Sequence, residues 1–116
     1  MLTWMRTWNV LTLGALQKAC FDQAAKSGWL ERKVEVPEQV ALICSEACEA
    51  LESWRKKEPM SFTANGKPEG VGSEFADIII RVAHYAELNG INLEDEVVRK
   101  MAYNASRPYR HGGKRA

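Results

Sequence analysis

The stretch Val40–Trp54, "VALICSEACEALESW", decides the fold. At about 100° per residue, Val40, Ile43, Cys44, Ala47, Ala50, Leu51 and Trp54 fall on one arc, which is the pattern of an amphipathic helix. Glu46, Glu49 and Ser53 lie beside that arc, on the side away from Glu52. Pro37 suits the first turn, where backbone N–H groups have no intrahelical partner anyway. The basic run Arg55–Lys57 suits the far end, where the helix dipole favours cations. The spacing therefore predicts a helix over 37–57. Downstream, Ser73–Ile80, "SEFADIII", repeats the arrangement, with Glu74 and Asp77 next to an apolar arc of Phe75, Ile78, Ile79, Val82 and Ala86.

Three more segments follow from the same rules. Val10, Leu13, Leu16, Ala19, Cys20, Ala24 and Trp29 recur at near-helical spacing, predicting a helix over about 9–30 that ends near Gly28. The "SEFADIII" helix extends over 69–89, with Gly90 as its stop. Asn92 opens a fourth helix over 93–106, with Asp95 three residues on in the manner of a capping box. Residues 58–70, "EPMSFTANGKPEG", read as a loop because Pro, Gly, Asn and Ser dominate them. The tail 107–116 has no core-forming pattern. Four helices with no persuasive strand predict an all-α bundle, a single domain over 1–116.

Composition sets further bounds. The chain has 116 residues, 46% of them hydrophobic and 27% charged, a globular profile of one domain's length. A formal net charge of +1 provides no global field for nucleic acid or anionic lipid, so neither is expected as a partner. Cys20, Cys44 and Cys48 make an odd set without framework spacing, which argues against a disulfide scaffold. No apolar run approaches the ~18 residues of a membrane span, and the first residues lack a signal-peptide pattern, so a cytoplasmic location is expected.

The two acid pairs carry the chemistry. Residues three apart share a helix face, with Cβ atoms about 5–6 Å apart. Glu46 and Glu49 are therefore neighbours, as are Glu74 and Asp77. If the two helices pack through their arcs, all four carboxylates converge at one edge. Two such charges about 4 Å apart repel by roughly 4 kcal/mol at an effective dielectric of 20. A hard divalent cation such as Mg²⁺ reverses that sign, since it prefers oxygen ligands. Taken singly, each pair reads as ordinary solvated acid on a helix face.

Lys100, Asn104 and Arg107 share a face of the fourth helix, and "RPYRHGGK" follows directly. Such cations supply donors to phosphate. His111, Lys114 and Arg115 add to the basic tail, while His84 reads as a structural neighbour of the site. Trp29 and Trp54 are possible stacking platforms for a nucleobase; Trp54 also fits a core or interface position. Trp4 and Trp8 precede the first helix. The phosphate-loop motif GxxxxGK[ST] is absent.

At this point the sequence resembles the MazG-like family of all-α nucleoside triphosphate pyrophosphohydrolases. ExxE is Glu46-Ala-Cys-Glu49, ExxD is Glu74-Phe-Ala-Asp77, and "KMAYNASRPYRHGGK" is similar to the ending of many small members. The resemblance covers about residues 37–115. It implies a MazG-like four-helix bundle, assembled as a homodimer or homotetramer, that hydrolyses a (deoxy)nucleoside triphosphate to the monophosphate and pyrophosphate. It implies Mg²⁺, with Mn²⁺ as a substitute, held by Glu46, Glu49, Glu74 and Asp77. Glu46 and Glu49 would be the catalytic carboxylates, and Lys100, Asn104 and Arg107 would contact the nucleotide. One departure matters: many members carry a further Glu where this chain has Ser45. The alternatives are a non-catalytic dimerisation or nucleotide-sensing module, and a hydrolase of another pyrophosphate-containing nucleotide.

Overall fold

The computed structural model describes residues 11–108. In chain order the elements are α1 (Leu13–Lys26), α2 (Val36–Arg55), β1 (Phe62–Ala64), β2 (Lys67–Glu69), α3 (Val71–Leu88) and α4 (Leu93–Ser106). The chain is thus mostly helical. Among the described residues no helix is long and apolar enough to cross a membrane.

Local chemistry fixes most boundaries. Thr12 caps α1, its hydroxyl accepting from the Ala15 N–H at 3.1 Å, so this helix starts later than the predicted Asn9. It ends before Gly28, whose φ of +79° is one that L side chains rarely adopt. Pro37 lies in the first turn of α2 and Arg55 in the last. Asn92 caps α4 through the Asp95 N–H at 3.1 Å, as the sequence predicts.

The segment 58–70 is more ordered than a loop. β1 and β2 pair antiparallel in the register Phe62↔Glu69, Thr63↔Pro68 and Ala64↔Lys67. Asn65 and Gly66 turn the hairpin with φ of +54° and +79°. Positive φ at both central positions is what the right-handed twist of a tight hairpin demands, and Asn-Gly meets it at low cost. Strands of three residues, one holding a proline, are too short to show alternation in a polar stretch.

α2 and α3 pack antiparallel. Asn89 Nδ2 donates to Gln39 Oε1 at 2.7 Å near one end, and Arg81 Nε donates to Glu46 Oε1 at 2.9 Å near the middle. α1 packs on α3, with the rings of Phe21 and His84 edge to face at 6.4 Å. Buried Gln17 clamps the turn into α4, donating to the Ile91 carbonyl at 2.8 Å and accepting from the Leu93 N–H at 2.7 Å.

The face that α2 buries corrects the sequence reading. Gln39, Glu46, Ala50 and Ser53 turn inward, whereas Val40, Cys44, Ala47, Leu51 and Trp54 of the apolar arc are exposed. The acids lie between the helices rather than at the edge of an apolar seam. The buried apolar residues are Ala24, Ala50, Ala83, Tyr85 and Ala86. α4 departs from the expected bundle as well: it packs chiefly against α1 and buries none of its residues.

The hairpin is tied to the start of α3. Gly70 has φ +102°, and a Cβ there would lie 2.5 Å from the Met60 carbonyl oxygen, which also accepts from the Gly72 N–H at 2.8 Å. Gly70→Ala is therefore expected to lower stability by about 1–3 kcal/mol through backbone strain alone, and by more from the clash. The shift in urea midpoint measures it. An unchanged midpoint would mean that the hairpin base moves freely relative to α3.

Candidate metal centre

Antiparallel packing brings the two acid motifs face to face. Glu46 from α2 and Glu74 and Asp77 from α3 each offer a carboxylate oxygen within 4.8 Å of the others. Glu49 is exposed at the rim; its carboxyl approaches Glu46 and Glu74 but stands outside that tight set. So three of the four predicted ligands converge closely and the fourth borders them.

The electrostatics is asymmetric. Burial pushes Glu46 upward, but the hydrogen bond and charge of Arg81, together with hydrogen bonds from Glu74 and Glu49, outweigh it and hold this carboxyl below its ordinary value. Glu74 has no such cation. Burial, then contact with Glu46 and Glu49 and their charge, pushes it up to about 7. Asp77 is raised by burial and by the charge of Glu46. Near neutral pH the cluster thus keeps Glu46 ionised and shares a proton through Glu74. Glu74 Oε2 is buried without a hydrogen-bond partner, and so is the hydroxyl of Ser53, seven residues beyond Glu46 on the same face of α2.

Arg81 is the functional residue that the motif reading underweights. It lies four residues after Asp77, so α3 itself delivers it to the acids. Its side chain is 26% exposed and its fork is divided, Nε to Glu46 and Nη1 to the Tyr85 hydroxyl at 3.1 Å. Beyond it opens a cavity of about 780 Å³ whose lining includes Trp29, Lys33, Gln39, Leu42, Arg81 and Tyr85. His84 also borders it; burial, then the charge of Arg81, lowers its pKa, and its Nε2 has no partner.

The other predicted site residues lie elsewhere. Trp54 is 61% exposed on the outer face of α2 and does not line this cavity. Lys100 and Arg107 stand over the Tyr103 ring on α4, at 5.3 and 5.9 Å from its centroid. Lys100 and Asn104 lie on α4, but Arg107 follows its last turn with extended backbone, so the three do not share a helix face; α4 packs chiefly against α1. Ser45 turns its hydroxyl to the Leu42 carbonyl at 2.6 Å. His111, Lys114, Arg115, Trp4 and Trp8 fall outside the described residues. No family model, curated protein or solved structure matches the chain.

Glu74 gives the site a pH signature. Its folded value of about 7 exceeds the ordinary carboxyl value of 4.5. Between the two, the native state keeps a proton that the unfolded chain has lost, so raising the pH favours unfolding. Glu46, shifted the other way, stabilises above 4.5 and loses that contribution as pH falls below it. In EDTA, stability is expected to decline as pH rises from about 4.5 to about 7, with Glu74→Gln flattening the decline. Urea midpoints across that range measure it. Superimposable wild-type and variant profiles would show that the carboxylates do not feel one another.

Proposed function

We propose that this protein is a Mg²⁺-dependent nucleotide pyrophosphohydrolase of the MazG-like kind, which splits a (d)NTP into the monophosphate and pyrophosphate. The observation that carries this reading is the convergence of Glu46, Glu74 and Asp77 within 4.8 Å, delivered by ExxE and ExxD motifs on facing helices.

The donor set fits a hard divalent cation. All the groups are carboxylate oxygens, one buried oxygen of Glu74 has no partner, and burial, then the neighbouring Glu46 and Glu49, already raise its pKa. Glu46, Glu49, Glu74 and Asp77 would hold Mg²⁺, or Mn²⁺ in its place. Such an ion supplies charge neutralisation for phosphate oxygens and acidifies bound water.

The chain's own residues supply the rest. Arg81 fixes the orientation of Glu46 and keeps it ionised. Glu49, exposed at the rim, would accept a proton from water. The cavity beside Arg81 has room for the organic end of a nucleotide, with Trp29 as an aromatic wall. Lys100, Asn104 and Arg107 would reach the phosphates from a neighbouring subunit of a homodimer or homotetramer, because α4 of the same chain stands apart from the acids. Two observations favour a weak catalyst or a nucleotide-sensing module as the second reading. Arg81 already occupies one oxygen of Glu46, and the hydroxyl of Ser45 is engaged with Leu42.

Pyrophosphate release from the standard NTPs and dNTPs, with Mg²⁺ or with EDTA, tests the proposal. Release is expected only with the metal, and Glu49→Gln and Glu74→Gln are each expected to reduce it at least ~100-fold while circular dichroism stays unchanged. A folded protein that releases pyrophosphate from none of them would transfer the case to the sensing module, which still requires nucleotide binding.

A further inference from the structure

Ser53 differs from the other serines of the helices. Ser45, Ser73 and Ser106 each donate to a backbone carbonyl, those of Leu42, Pro68 and Tyr103, at 2.6, 3.2 and 2.6 Å. A nearby carbonyl is the ordinary partner for a hydroxyl on a helix. Ser53 makes no such bond: it is 7% exposed and its Oγ is buried without a partner. A buried hydroxyl in that state costs stability, and alanine would occupy the same place in the helix without the cost.

The register of α2 on α3 places this hydroxyl. Gln39 meets Asn89, and Glu46 meets Arg81. Seven residues forward along α2 thus correspond to eight back along α3. A further seven along α2, from Glu46 to Ser53, leads on α3 to about Glu74. Ser53 belongs to the inward stripe of α2 with Gln39, Glu46 and Ala50, so it faces α3 rather than solvent. Glu74 Oε2 is likewise buried without a partner. Two unsatisfied oxygens therefore occur at the same end of one seam, on facing helices, and do not satisfy each other.

A hydrated dication resolves both. Mg²⁺ sheds water reluctantly and is usually held by a few carboxylates while keeping several waters. Water polarised by such an ion is a strong donor and needs acceptors around it. A hydroxyl supplies one without adding charge to a seam that already gathers Glu46, Glu74 and Asp77. We propose that Ser53 is a positioning residue of the cation site, its hydroxyl accepting a hydrogen bond from a water that the ion carries. The inference rests on the cation site proposed above. Ser53 Oγ and Glu74 Oε2 are then satisfied together, which accounts for a buried serine where alanine would pack as well.

Mn²⁺ is the probe, because electron paramagnetic resonance reads its free form directly. The wild type is expected to bind it, and Ser53→Ala to bind it about tenfold more weakly, as loss of a hydrogen bond behind metal ligands does. Urea midpoints separate this role from a structural one. In EDTA, Ser53→Ala is expected to match or exceed the wild type, since an unsatisfied hydroxyl has gone. On adding Mn²⁺, its midpoint is expected to rise less than that of the wild type. Equal Mn²⁺ affinities in the two proteins would overturn the proposal and leave the cation site in place. A midpoint that drops in EDTA as far as it does with Mn²⁺ would also overturn it, making the hydroxyl a packing group. A wild type that binds no Mn²⁺ would overturn the cation site as well.

Discussion

The ion pair between Arg81 and Glu46 lets α2 and α3 lie face to face. Without that guanidinium, the seam would hold acids from both helices and no cation between them. With it, Glu46 stays charged and Arg81 is anchored at its other end by Tyr85. Glu74, buried beside Glu46 and Glu49 without a cation of its own, is left to take up a proton. A partly buried ion pair of this type adds little net stability, because desolvation offsets most of the attraction. An apolar pair of similar volume would hold the helices together as well. What the pair does fix is orientation: it holds one oxygen of Glu46 toward α3, beside Glu74 and Asp77.

The interior around that seam is thin. Alanines dominate the buried apolar positions, and polar Gln17, Gln39, Ser53 and His84 are buried beside them. Small side chains let helices approach closely, but each removes little apolar surface from water. Gln17 shows how the chain compensates: one amide satisfies a carbonyl and an N–H of the turn into α4 and so fixes where that helix begins. Larger apolar residues mostly line the outside. A chain so arranged places much of its hydrophobic surface where a neighbour would gain from it.

Much of this was legible in the sequence, for identifiable reasons. Apolar periodicity located the four helices, while Pro37, Gly90 and Asn92 marked ends through backbone chemistry that context seldom overrides. The i,i+3 acids were legible because the helix alone makes them neighbours. The inward face of α2 was not. The wheel shows an apolar arc next to an acidic one and carries no sign of which one meets α3, since that depends on Arg81 arriving from 35 residues away. The Asn65–Gly66 turn was readable in principle, but three-residue strands left nothing on either side to confirm it. α4 shows the reverse: its caps are clear, yet no local signal reveals that it packs outside the layer.

The hairpin between the acid motifs is rigid at its base and open at its tip. Gly70 is pressed against the Met60 carbonyl, so the spacing from the hairpin to Glu74 is set by backbone contact. A Cβ at Gly66, by contrast, would meet nothing within 4 Å. Extra sequence entering between Asn65 and Gly66 would extend into solvent and leave the register of Phe62 with Glu69 intact. The molecule thus has a natural splice point, where a reporter or a recognition module can be grafted between the two halves of the site without altering the distance between them.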